Sequence, residues 1–175
     1  MRIFLVGYMG CGKSTLGRQL APALGISWID LDAEFESRYK ISISHFFNKY
    51  GEVAFRKLEH KLLTEISEIP DIVVSTGGGT PCYHDNMQLM NHNGLTMYLV
   101  AEPDLLLSRI ALAPSKRPLF QQMKGADSLL HIRQHLESRE LHYKLAKITI
   151  DATKPDLDEV KNLIQNYLDD SQITR

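Results

Sequence analysis

Cysteine is scarce in this chain of 175 residues. Cys11 and Cys82 are the only two, and they have neither metal-ligand spacing nor the makings of a disulfide framework. Two free thiols in a reducing compartment are the expectation. No charge of one sign dominates. Lys and Arg number 20 against 21 Asp and Glu, for a formal net charge of -1. That balance excludes a nucleic-acid surface built on bulk basicity, and there is no Lys/Arg tail. Internal repeats, low-complexity tracts and linkers are also missing. No apolar run is long enough to span a membrane. The opening stretch Ile3-Phe4-Leu5-Val6 meets Gly7 too soon for a span or a signal-peptide core. It reads as the first strand of a cytoplasmic protein without membrane or nucleic-acid partners.

What is present is an ordinary globular composition, 43% hydrophobic and 23% charged. The length predicts one domain over residues 1–175 with a proper core. Five short apolar runs read as buried strands: Ile3–Val6, Ile26–Ile29, Ile72–Ser75, Thr96–Val100 and Ile148–Ile150. Amphipathic stretches lie between them. Lys13–Leu24 carries Leu16, Leu20 and Leu24 on one face, with Pro22 inside as a candidate kink. Val53–Ile69 and Leu157–Leu168 show the same periodicity, the latter preceded by Pro155. Strands alternating with helices imply right-handed crossovers and a mainly parallel sheet covered on both faces, an α/β fold. Ligands in such sheets bind beyond the carboxyl ends of the strands.

Gly7-Tyr8-Met9-Gly10-Cys11-Gly12-Lys13-Ser14 fits G-x-x-x-x-G-K-[ST] between the first strand and the first helix. Its glycines let consecutive N–H groups turn inward around a phosphate, and the helix N-terminus adds its positive end. Gly10, Cys11, Gly12, Lys13, Ser14 and Thr15 are the expected ATP contacts. Lys13 reaches the β- and γ-phosphates, and the Ser14 hydroxyl ligates Mg²⁺.

Asp30 and Asp32 follow the second strand. Two apart on an extended chain, they point to the same side. Asp32 is the candidate proton acceptor from a substrate hydroxyl and Asp30 a candidate Mg²⁺ partner, Asp32 having the N-cap of the next helix as its alternative role. Arg56 and Glu59 share a helix face, either as a surface pair or as a guanidinium fork for a substrate carboxylate. Arg117 lies between Pro114 and Pro118, in what reads as a lid over about 112–124 that closes on the γ-phosphate. An ordinary exposed loop is the alternative. Gly77-Gly78-Gly79 follow the third strand, where many nucleotide-binding proteins place an acid. Three glycines in succession are costly to order, so close backbone approach or unusual φ is expected there.

In order and spacing these segments resemble the shikimate kinase family over nearly the whole chain. They are the loop Gly7–Thr15, Asp30-Leu31-Asp32, Gly51-Glu52 with Phe55-Arg56-Lys57-Leu58-Glu59, Thr76-Gly77-Gly78-Gly79, Arg117-Pro118-Leu119, and Arg139 with Tyr143. The resemblance implies a three-layer P-loop kinase fold with a five-stranded parallel sheet in the order 2-3-1-4-5. It also implies phosphorylation of the 3-hydroxyl of shikimate by MgATP, usually by a monomer. The catalytic residues so implied are Lys13, Asp32 and Arg117. Shikimate is expected on Asp32, Arg56, Glu59, Gly77, Gly78, Gly79 and Arg139, within a substrate segment about 32–62 and around the glycines. Arg109 and the loop Asp151–Pro155, including Lys154, are implied to flank adenine.

Two departures stand out. The family usually has a glycine near Lys40, so a different turn is expected there. Leu141 stands where proline is common. Another small-metabolite kinase, acting on gluconate or a nucleoside monophosphate, is the nearest rival. A nucleotide-dependent switch is the distant one, suggested only by Asn48-Lys49-Tyr50-Gly51.

Overall fold

The computed structural model describes residues 1–112 and 126–173. Its five strands are β1 (Arg2–Val6), β2 (Ser27–Asp30), β3 (Ile72–Ser75), β4 (Leu95–Val100) and β5 (Ile148–Asp151). They form one sheet in the order β2-β3-β1-β4-β5, with every pair parallel. The expected sheet is therefore the observed one. Central strands buried on both faces need unbroken apolar runs. Ile3, Phe4, Leu5, Val6, Ile72, Val73 and Val74 supply them, all fully buried.

Seven α-helices are described: α1 (Lys13–Leu24), α2 (Leu31–Tyr39), α3 (Ile43–Ser67), α4 (Asn86–Asn93), α5 (Pro103–Ala111), α6 (Ala126–Tyr143) and α7 (Leu157–Ile173). None of the described helices is long and apolar enough to cross a membrane. Helix α1 buries Leu16, Leu20 and Ala21 and runs through Pro22 to a left-handed Gly25 cap. Pro22 is tolerated because it sits on the exposed side, where the carbonyl it orphans meets water. A Cβ on Gly17 would lie 2.4 Å from the Trp28 indole nitrogen and 2.6 Å from Ser75 Oγ. That close approach lets Trp28 donate to Ser75 Oγ (3.0 Å), which donates in turn to the Lys13 carbonyl (3.0 Å). The start of α1 is thus tied to the end of β3.

The turn at Lys40 is not the altered one the sequence suggests. Lys40 caps α2 in the left-handed conformation, φ 55° and ψ 33°, that glycine adopts without penalty. The backbone keeps the glycine geometry and a lysine bears it. Helix α3 starts ten residues earlier than its periodicity predicts, because Gly51 (φ 79°, ψ 169°) breaks it into 43–50 and 52–67. Asn48 and Lys49 lie on the first of these helical halves.

Candidate functional site

The phosphate loop joins β1 to α1 at the carboxyl edge of the sheet. Gly7, Gly10 and Gly12 have φ of 140°, 84° and 105°, so the glycines meet a real backbone demand. A Cβ on Gly7 would also lie 2.7 Å from the Leu99 carbonyl oxygen. Lys13 is buried, and its Nζ donates to the Gly7 and Tyr8 carbonyls at 2.8 and 2.9 Å. Those bonds hold the ammonium inside the loop, where phosphate oxygens can exchange for the carbonyls. Arg109 braces the loop from behind, donating to the carbonyls of Cys11 (3.1 Å), Ala152 (2.9 Å) and Thr153 (3.2 Å). It ties the phosphate loop to the segment expected beside adenine, in which Lys154 is exposed.

The two acids converge, though not as strand neighbours. β2 ends at Asp30 and Asp32 is already in the first turn of α2. The capping role belongs to Asp30, whose Oδ1 accepts from the Ala33 N–H at 3.2 Å. Its other oxygen accepts from the Ser14 hydroxyl. Ser14 and Asp30 are hard oxygen donors side by side at the α1 N-terminus, and no group of three metal-ligating side chains occurs among the described residues. So sparse a protein donor set fits Mg²⁺, which keeps waters and substrate phosphates as ligands.

Asp32 is enclosed by protein on most sides yet open to solvent through the cleft. Desolvation in the cleft, then the Glu59 and Asp30 charges, push its carboxyl up to about 7 against the pull of Lys13 and Arg56. Because the residue is exposed, solvation of the carboxylate offsets part of that push, and its direction stays upward.

Arg56 and Glu59 are no surface pair. Arg56 Nη1 donates to Glu59 Oε2 at 2.8 Å, and the Glu59 side chain is 2% exposed. Glu59 Oε1 accepts from Thr80 Oγ1 at 2.6 Å. The Tyr83 ring lies 4.1 Å from the Arg56 guanidinium carbon. Arg139 enters from α6, which Leu141 leaves unbroken. It lies beside Tyr143, and its charge acts on Tyr143, Glu52, Cys82 and Tyr83.

Gly77, Gly78 and Gly79 form the floor between these groups. None has a positive φ, so the expectation of unusual backbone fails and close approach alone explains them. A Cβ on Gly77 would lie 2.7 Å from Asp32 Oδ1, one on Gly78 3.1 Å from the Met9 nitrogen, and one on Gly79 2.6 Å from Arg56 Nη2. Thr76 anchors the run, its N–H and Oγ1 both donating to the Leu5 carbonyl (3.2 and 2.9 Å).

Arg117 and the lid from residue 113 onward lie outside the described residues. Glu52, Tyr83, Thr80 and Tyr143 also contact site residues, though their roles are not evident from the sequence. Only Glu52 carries a readable sign, its position four residues before Arg56 on a helical face.

A family model described as shikimate kinase matches residues 9–169. A shikimate kinase of Parabacteroides distasonis is 42% identical over 171 residues, covering 95% of this chain and 99% of the relative. One from Bacteroides fragilis is 43% identical, covering 94% and 93%. Among solved structures, shikimate kinase from Bacteroides thetaiotaomicron superposes with a TM-score of 0.89 at 38% identity, covering 97% of this chain and 98% of that one. The Acinetobacter baumannii enzyme, solved in complex with shikimate, gives 0.85 at 33% identity over 97% and 93%.

Proposed function

Because the chain belongs to the shikimate kinase family, we propose that it transfers the γ-phosphoryl group of ATP to the 3-hydroxyl of shikimate, yielding shikimate 3-phosphate and ADP. This is a step toward the aromatic amino acids. One observation carries the acceptor assignment: Asp32 and Arg56 stand within van der Waals reach of bare backbone at Gly77 and Gly79, with Arg139 entering opposite. A compact ring bearing several hydroxyls and one carboxylate matches that combination of acid, paired guanidinium groups and side-chain-free floor.

Residues Gly10–Thr15 cradle the phosphates, and Lys13 gives up its loop carbonyls to reach them. Asp32 orients the acceptor hydroxyl and takes its proton. The hydroxyl oxygen bonds to the γ-phosphorus as the bond to the β–γ bridging oxygen breaks, and ADP departs with that electron pair. Arg56 and Arg139 hold the acceptor's carboxylate, which fixes the ring's orientation. Arg117 is assigned to the transferring phosphoryl group, and Arg109 with the 151–155 loop, Lys154 included, to adenine. Ser14 and Asp30 would hold Mg²⁺, which neutralises phosphate charge when bound with ATP. We read the chain as one kinase domain acting as a cytoplasmic monomer, with no nucleic-acid or membrane partner.

ADP release with MgATP tests the assignment, comparing shikimate, gluconate, nucleoside monophosphates and no acceptor. Turnover confined to shikimate is expected. Turnover with another acceptor would keep the phosphate loop's role and discard the substrate.

A further inference from the structure

The guanidinium assigned to a substrate carboxylate already holds one. Arg56 Nε and Nη2 both donate to Glu52 Oε1, at 3.1 and 2.9 Å. That edge is one of the two on which parallel N–H groups can grip a carboxylate. With Nη1 committed to Glu59 and Nη2 packed over Gly79, it is the edge that a ligand must win.

The two glutamates are held very differently. Glu59 is buried and fixed by Thr80. The Glu52 side chain is 47% exposed and directly follows the Gly51 break in α3. Its chain is therefore free to swing into solvent, whereas Glu59 has nowhere to go. Partial burial pushes the Glu52 carboxyl up, but hydrogen bonds from Tyr83 and Arg56 and the charges of Arg56 and Arg139 outweigh it and hold the group below the usual carboxylate range. Glu52 thus feels both of the arginines assigned to the acceptor's carboxylate.

We infer that Glu52 is an internal stand-in for the substrate carboxylate, occupying the Arg56 edge in the empty site and yielding it when the acceptor binds. The inference rests on the proposed placement of the acceptor. A tethered competitor has a high effective concentration, so stray anions lose to it. A ring without a carboxylate leaves Glu52 in place and gains nothing from Arg56. A correctly seated carboxylate gains Arg139 as well and displaces Glu52. The device costs affinity, because only the fraction of molecules with Glu52 released is competent to bind.

A glutamate that merely oriented Arg56 would have the opposite effect when removed, and this makes the inference testable. In Glu52→Gln and Glu52→Ala, KM for shikimate should fall about two- to fivefold, the range for a partly exposed ion pair, with kcat moving less than KM. Calorimetric titration with cyclohexanecarboxylate, a bare carboxylate probe, should show tighter binding by a similar factor. It reads out Glu52 even if shikimate is not the acceptor. A raised or unchanged KM together with unchanged or weaker probe binding in both variants overturns the inference. Absence of wild-type shikimate turnover with tightened probe binding overturns the acceptor assignment alone.

Discussion

Gly79 lies so close beneath Arg56 that a Cβ there would stand 2.6 Å from Nη2. Its neighbour Gly77 bears the same relation to Asp32, at 2.7 Å from Oδ1. Beside the clearance of Gly78 over Met9, the triple glycine thus holds two separate clearances at the site, one under Arg56 and one under Asp32. Substitutions should separate them. Gly79→Ala must displace a guanidinium already pinned by Glu52, Glu59 and Tyr83. Its shikimate KM should rise about ten- to hundredfold, the scale of a lost charged hydrogen bond, with KM for ATP little moved. Gly77→Ala pushes Asp32 aside, and kcat should fall by about a hundredfold, the scale of a misplacement near 1 Å. Steady-state kinetics on both variants checks the split. Equal effects on both parameters in both variants would refute it.

Lys40 bears a left-handed backbone that glycine adopts without penalty. At φ 55° a lysine loses what glycine would not, while glycine costs more entropy to order. The side chain is exposed, so replacing it removes little packing. Lys40→Gly should stabilise the protein by about 0.5–1 kcal/mol, seen as a Tm about 1–4 °C higher. A lower Tm would mean that the turn depends on the lysine side chain.

Where a segment answers to one physical demand, its role is legible in the chain. β1 and β3 are buried on both faces and read as apolar runs, and the phosphate loop's glycines sit where φ is positive. Segments serving two demands are not. α6 turns His135, Arg139 and Tyr143 toward neighbours around the cleft, so the apolar stripe that announces a helix is interrupted. Asp30 and Asp32 are recognisable as a pair, but the boundary between β2 and α2 decides which of them caps, and sequence leaves such boundaries uncertain by a few residues. Glu52 is obscured because its partner, Arg56, also matches the role proposed for it at the acceptor's carboxylate, which leaves the pairing of the two unremarked.

Tyr143 donates its phenolic O–H to the Gly78 carbonyl at 2.5 Å and lies beside the charge of Arg139. One buried hydroxyl thus ties down the glycine floor next to the second arginine. Tyr143→Phe keeps the ring that packs on Tyr98 but leaves the carbonyl without its donor. A stability loss of about 1–3 kcal/mol is expected, the cost of an unsatisfied buried polar group. Shikimate KM should rise with it, because the Gly78 floor beside Arg139 loses its tie. Denaturant unfolding and kinetics measure the two effects. A destabilised variant with wild-type KM would confine Tyr143 to the core.

His135 joins α6 to the phosphate loop, its Nδ1 pairing with the Tyr8 hydroxyl at 2.9 Å. Burial, then the charges of Arg139 and His131, press its pKa down to about 4, with Glu52 opposing. The sign follows from proton counting. Between about 4 and the unfolded value of 6.5 the unfolded chain binds the proton that the folded chain refuses, so this contribution is complete above pH 6.5 and drains away as the pH falls toward 4. The raised pKa of Asp32 works in the opposite direction, so a wild-type stability profile alone mixes the two. A difference profile isolates the histidine. His135→Gln keeps a polar partner for Tyr8 and cannot titrate. Relative to wild type, its Tm should climb steadily from pH 7 to pH 4.5. A constant difference across that range would show that His135 is protonated as readily in the folded protein as in the unfolded chain.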